Sequence, residues 1–195
     1  MTTGRPIEFN PDTALDAAMQ LFWQKGYEST SLQNLINAMD LSKSSFYQAF
    51  KSKHQLFQRC IQQYQNMLSG KMKEHLEGAA SRKSNISILF YNKADETSGL
   101  NARRGCLTMN TASEFAQTDP EISALISQSI ESFVDVFESA IKQAQQQGEI
   151  STDKDARSIA AYLVSSMSGL NTMIKSGADR ESIKRIATII LSVLD

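Results

Sequence analysis

The side chains that could do chemistry in this sequence fall in two places. In the first, Lys43, Ser44, Ser45, Tyr47 and Gln48 share the free face of one short helical stretch, with Lys51 and Lys53 just beyond it. Small hydroxyls, an amide and cations on a narrow helix suit hydrogen bonding to base edges and phosphates in a DNA major groove. The second place is Cys106. Arg103 and Arg104 precede it, and the apolar-periodic stretch after it sets it near a helix amino terminus. Both features raise thiolate content and so reactivity toward oxidants and electrophiles. A buried core thiol is the competing reading, since free cysteine is among the most buried residue types. His54 and His75 have no cysteine or carboxylate cluster beside them, which argues against a zinc site. With no Gly-rich phosphate loop and no Ser-His-Asp order, the chain does not read as an enzyme, and no cofactor is expected.

The helix carrying Lys43 to Gln48 needs a scaffold. Ser42 can N-cap it, with Phe46 and Phe50 turned inward at i, i+4. Ser31 can N-cap a preceding helix whose Leu32, Leu35, Ile36 and Met39 make an apolar face. Between them Asp40 suits a left-handed turn, and Leu41 plugs the corner. Two capped helices joined by a tight turn form a helix-turn-helix pattern. An earlier helix starts at Asn10-Pro11, carries Ala14, Leu15, Ala18, Leu21 and Phe22 on one side, and stops at Gly26. Trp23 and Tyr27 are expected to pack it on the helical pair. Residues 1–9 read as a flexible arm with one cation, Arg5. Ser52 opens a fourth helix through Leu56, Phe57, Cys60, Ile61, Tyr64 and Leu68, with Cys60 a buried small hydrophobe.

Gly70, Gly78 and the SRKSN run at 81–85 mark a looser region. Helical periodicity resumes at Ile86, Leu89 and Phe90, ends at the SGLN turn at 98–101, and returns with Leu107, Met109, Ala112 and Phe115. Asp119-Pro120 opens a long helix that stops at Gly148. Thr152 or Asp153 starts the next, which ends near Gly177, and the last begins around Asp179. No stretch alternates with period two. The expected class is all-α with about nine helices. A three-helix domain spans 1–50, a connecting helix spans 52–76, and a helical domain spans 77–195. Phe90, Met109, Phe115, Phe133, Phe137, Tyr162, Met167 and Met173 would line any pocket there, although such positions are more often plain core.

Composition limits the alternatives. The 195 residues are 41% hydrophobic with three prolines and two cysteines, which allows a proper core and fits a reducing compartment. No run approaches the roughly 18 apolar residues of a membrane span, and the amino terminus lacks a signal-peptide core, so a cytoplasmic protein is expected. Net charge is −1, but residues 1–75 carry eight Lys and Arg against six Asp and Glu, while residues 76–195 carry twelve against fifteen. Affinity for phosphates would therefore come from a local patch and from dimerisation. The last two helices supply the dimer. Residues 156–176 are rich in Ala, Ser and Gly, and the final helix is apolar over more than one face through Ile186, Ile189, Ile190 and Val193. Paired with a second copy they would form a four-helix bundle; the alternative is that they complete the monomer core.

From Ala17 to Leu56 the sequence resembles the TetR family of transcriptional regulators. AAMQLFWQKGYESTS and LINAMDLSKSSFYQAFKSKHQL carry its alanine pair, Leu-Phe, Gly-Tyr, Thr-Ser, Ser-Lys, Phe-Tyr and Lys-Ser-Lys in register. Asp40 stands where that family usually has Gly, and Ser44 where it often has Gly or Pro. The resemblance implies a homodimeric repressor of a palindromic double-stranded DNA operator, released when a small molecule reaches its carboxy-terminal sensing domain. It also implies DNA contacts from Ser31, Gln33, Lys43, Ser44, Ser45, Tyr47, Gln48 and Lys53. On chemical grounds Gln48 suits adenine and Lys43 suits guanine or phosphate, while Tyr47 and Lys53 suit phosphates that fix register. RRGCLTMNTASE resembles a sub-branch in which a cysteine senses oxidants or electrophiles, which would make Cys106 the sensor, with Lys175 as a possible second cation near it. An activator, or a helical dimer that binds another protein and no effector, is the alternative function.

Overall fold

The computed structural model describes residues 9–78, 81–98, 102, 104–115 and 117–195. Arg5 of the expected arm, Arg103, and residues 99–101 of the expected turn lie outside the described residues. Among the described residues there are nine α-helices, a short 3-10 turn at Ser192–Leu194 and no strand, so the all-α expectation holds. The helices are α1 Pro11–Lys25, α2 Leu32–Ala38, α3 Lys43–Phe50, α4 Lys53–Leu76, α5 Arg82–Asp95, α6 Leu107–Phe115, α7 Pro120–Gln146, α8 Ala156–Lys175 and α9 Arg180–Leu191. The chain divides into two compact units, one ending at Tyr64 and the other beginning at Gln65.

In the first unit, Asn10 caps α1 by accepting the N–H groups of Asp12 and Thr13 at 2.9 and 3.3 Å, with Pro11 at the first helical position. Gly26, at φ 80°, ends it. The buried row is Ala14, Leu15, Ala18, Met19 and Phe22. Leu21, expected inside, is half-buried, because Met19 and Phe22 continue the i+4, i+7 line from Leu15. Trp23 meets Tyr64 of α4 at 5.1 Å, while Tyr27 meets Phe57 of α4 at 4.9 Å and Phe22 of α1 at 5.9 Å. These rings tie the end of α1 to the long helix behind the hairpin.

The second unit is built around α7 and α8, which pack along each other and meet α5 and α9. Ile86, Phe90, Phe133, Phe137, Ile141, Leu163, Leu170 and Ile183 lie in its core. Two starting points differ from expectation. α5 begins at Arg82, inside the SRKSN run, because Ser81 caps it through the Ser84 N–H. The polar residues there are used on the end of α4. Arg82 donates to the carbonyls of Leu76 and Gly78 at 2.9 and 2.7 Å, and buried Asn85 reaches the same two oxygens. The Leu76 oxygen is one of the orphan carbonyls every helix leaves at its carboxy end, and Gly78 lies just beyond that end. α8 is capped by Asp155, not by Thr152 or Asp153, with its carboxylate accepting from Ser158 N–H at 2.8 Å. In α6 the buried face is Leu107, Thr108, Thr111 and Phe115, which leaves Met109 and Ala112 half-buried. A buried polar tie joins Ser129 of α7 to Gln65 of α4 at 3.0 Å.

Candidate nucleic-acid interface

The helix-turn-helix is assembled from local capping. Ser31 accepts the Asn34 N–H at 3.1 Å while the Asn34 side chain accepts the Ser31 N–H at 3.1 Å, a reciprocal box that fixes the start of α2. Asp40 takes φ 52°, the left-handed turn its type permits, and Leu41 N–H reaches Ile36 carbonyl at 3.0 Å to close the corner. Ser42 then caps α3 through Ser45 N–H at 3.1 Å. Phe46 and Phe50 are 0% and 2% exposed, so α3 can present only one face.

That face carries Lys43, Ser44, Tyr47 and Gln48, all exposed, at i, i+1, i+4 and i+5. Ser45 is half-buried, with its hydroxyl 2.8 Å from that of Ser42. On α2, Ser31 and Gln33 are exposed; Gln33 donates to Asn37 at 2.8 Å. The Ser31 oxygen accepts a backbone N–H and keeps its own O–H as a donor. Lys53 opens α4 half-buried, its ammonium 4.0 Å over the Tyr27 ring. Tyr27 thus holds a cation in place, a support that spacing along the sequence does not reveal. Arg59 is another: it donates to the Ala49 carbonyl at 3.3 Å and lies 4.8 Å over the Phe50 ring, closing the carboxy end of α3.

The two thiols differ in setting. Cys60 is wholly buried in the first unit, and burial pushes its thiol far above the ordinary value. It is the small hydrophobe its place on α4 implied. Cys106 is 9% exposed and directly precedes α6, its carbonyl accepting the Asn110 N–H at 2.9 Å. Lys175, at the end of α8, is brought to the same loop. Its ammonium donates to Asn110 at 2.9 Å, Asn110 donates to the Arg104 carbonyl at 2.7 Å, and the lysine stem lies against Gly105. Thr108, two residues on, is fully buried, and its hydroxyl has no hydrogen-bond partner among the described residues.

The residues suggested for a pocket in the second unit separate. Phe90, Phe133 and Phe137 are core, whereas Tyr162 and Met173 are 42% and 38% exposed. A cleft of about 240 Å³ lies between α4 and α7, lined by Lys73, Leu76, Glu77, Ser132, Asp135 and Gln143 among others, and by none of those aromatics. On α8 and α9, Ile159, Leu163, Ile183 and Ala187 fill the core, while Tyr162, Met173 and Ile189 point outward; Ile189 is 69% exposed. Among the described residues no group of three His, Cys, Asp or Glu could hold a metal ion, and no helix is long and apolar enough to cross a membrane.

Comparison with known proteins bears on both units. Residues 14–60 match the family described as bacterial regulatory proteins, tetR family, and residues 90–190 match the tetracyclin repressor-like, C-terminal domain. The chain is similar to the uncharacterized HTH-type transcriptional regulator YezE of Bacillus subtilis, 29% identical over 98% of this chain and 100% of that one. It is also similar to the HTH-type transcriptional repressor ComR of Escherichia coli, 28% identical over 94% of this chain and 88% of that one. Among solved structures, it resembles a cysteine mutant of the TetR family transcriptional regulator CifR complexed with a 26-base-pair operator duplex. The TM-score is 0.83 and identity 27%, covering 98% of this chain and 100% of that one. A capped helix-turn-helix at one end and a match over more than half of the chain at the other agree, and the protein belongs to the TetR family of DNA-binding transcriptional regulators.

Proposed function

We propose that the protein is a repressor that binds a palindromic double-stranded operator as a homodimer. It leaves the DNA when a small molecule occupies the carboxy-terminal domain or when Cys106 is modified. The observation that carries the DNA reading is the face of α3: four exposed polar or basic side chains on a helix whose other side is anchored by Phe46 and Phe50. In this reading residues 1–50 are the reading head, 52–76 the connection, and 77–195 the sensing and dimerising domain. Gln48 reads an adenine edge and Lys43 a guanine or phosphate. Ser31, Gln33, Ser44, Ser45, Tyr47 and Lys53 position the helix on the backbone and groove wall. The outward Ile189, Tyr162 and Met173 belong to the face that a second copy covers. Such a protein is not an enzyme and works in the cytoplasm, where its operator is.

The Cys106 branch is supported by the cation of Lys175 held beside its loop and by its place at the start of α6. Selection from a random duplex pool tests the whole reading. The expected product is an inverted repeat whose half-sites lie about 34–36 Å apart, or a multiple of that. A pool with no enriched sequence would contradict it.

A further inference from the structure

The turn between α3 and α4 is strained. Lys51 has φ 62° and ψ −49°, and the Ser52 N–H closes back on the Phe50 carbonyl at 2.7 Å. That is a three-residue γ-turn of positive φ, a rare and strained form for a residue with a side chain. Glycine would take the same turn without a Cβ clash. What lysine adds at this position is therefore its side chain alone. That side chain is exposed, and no described residue pairs with its ammonium. The neighbouring cations are engaged: Lys53 over Tyr27, Arg59 on the Ala49 carbonyl and the Phe50 ring.

We infer that Lys51 is a phosphate-contacting residue, held at the carboxy end of the recognition helix by a strained turn and aimed at the DNA backbone where α3 leaves the groove. The inference rests on the DNA-binding reading above. Recognition helices of this motif place their amino-terminal residues over base edges, and the carboxy end of such a helix can meet the backbone. A cation at that end neutralises a phosphate without reading sequence. A purely structural role is the rival. There Lys51 would only complement the negative end of the α3 dipole.

The test uses the full-length protein, a duplex enriched by selection, and two variants. Lys51→Gly removes the charge and relieves the turn, whereas Lys51→Gln removes the charge and leaves the turn strained. Binding is followed by anisotropy over a range of salt concentrations, and thermal unfolding is followed separately. With one such contact in each half-site, both variants should flatten the slope of log K against log salt by roughly 1.8, at 0.9 per phosphate. Lys51→Gly should also unfold at a higher temperature than Lys51→Gln. If both variants keep the wild-type slope, Lys51 makes no phosphate contact and the inference fails. If only Lys51→Gly binds weakly, the loss comes from a loosened turn, and the inference fails again. If the wild type itself shows no salt-dependent preference for the selected duplex, the DNA-binding reading fails first and takes the inference with it.

Discussion

At the scale of single residues, side chains that read a base differ from side chains that hold the backbone. Gln48 is exposed on α3 and is assigned a base edge. Gln48→Ala should reduce the preference for operator over scrambled duplex by about 1–3 kcal/mol per half-site, measured by competition binding. A uniform loss on both duplexes would instead make Gln48 a backbone contact. Lys53→Gln should give that uniform loss, because Lys53 is placed by Tyr27 and is assigned a phosphate. The cysteines make an equally direct pair. Operator release by an electrophile such as a quinone should vanish in Cys106→Ser and persist in Cys60→Ala, since Cys60 is fully buried and its thiol is held protonated. Release that survives Cys106→Ser would leave a reversible small-molecule ligand as the signal.

At the scale of elements, the helix ends carry most of the specification and also a pH signature. Asp155 and Asp179 cap α8 and α9 as carboxylates. The Ser158 hydroxyl and N–H hold Asp155 below its usual 3.8, and the Ser182 N–H and hydroxyl do the same for Asp179. A carboxyl whose folded pKa is lowered stabilises the fold above its unfolded pKa, and that stabilisation is lost as pH falls through the lowered value. Helicity of the second unit should therefore become less heat-resistant below about pH 4, and the double variant Asp155→Asn, Asp179→Asn should flatten that decline while keeping both caps. An acid profile unchanged by the substitutions would show that other carboxylates dominate.

Capping is also why so much of this architecture is legible in the sequence. Asn10-Pro11, Ser31, Ser42 and Asp119-Pro120 announce helix starts through chemistry that involves only the next three residues, and each is used as expected. The misreadings occur where the deciding partner is distant. Ser81 to Asn85 looked like a loop because it is polar, yet its polar groups serve the end of α4, several residues back in the chain. STDKD offers several capping groups before α8, and the start that buries Ala156 and Ile159 selects Asp155. A nine-residue helix such as α6 holds too few apolar residues to define its face, which is how Thr108 and Thr111 came to be inside. At the candidate site the outward face of α3 followed from periodicity. The ring under Lys53 and the γ-turn at Lys51 did not, because both depend on how α1, α3 and α4 meet.

At the scale of the whole molecule, residues 1–75 carry only a small cation excess, eight Lys and Arg against six Asp and Glu, so one reading head has little electrostatic hold on DNA. Two heads on one duplex supply what one lacks, which makes dimerisation part of recognition. Among the described residues Ile189 is the most exposed large hydrophobic, on a helix whose inner face is packed by Ile183, Ala187 and Ile190. Ile189→Glu should yield a folded monomer by sedimentation, with operator affinity reduced by several orders of magnitude. A dimer that survives this change would move the interface elsewhere. Sequence-specific DNA binding by two copies can be read in one titration. Full-length protein is titrated into equimolar selected and scrambled duplexes at about physiological salt, with stoichiometry and affinity read together. Two chains per selected duplex are expected, with a preference of at least roughly a thousandfold over the scrambled one. Equal affinity for both duplexes, or one chain bound per operator, would contradict it.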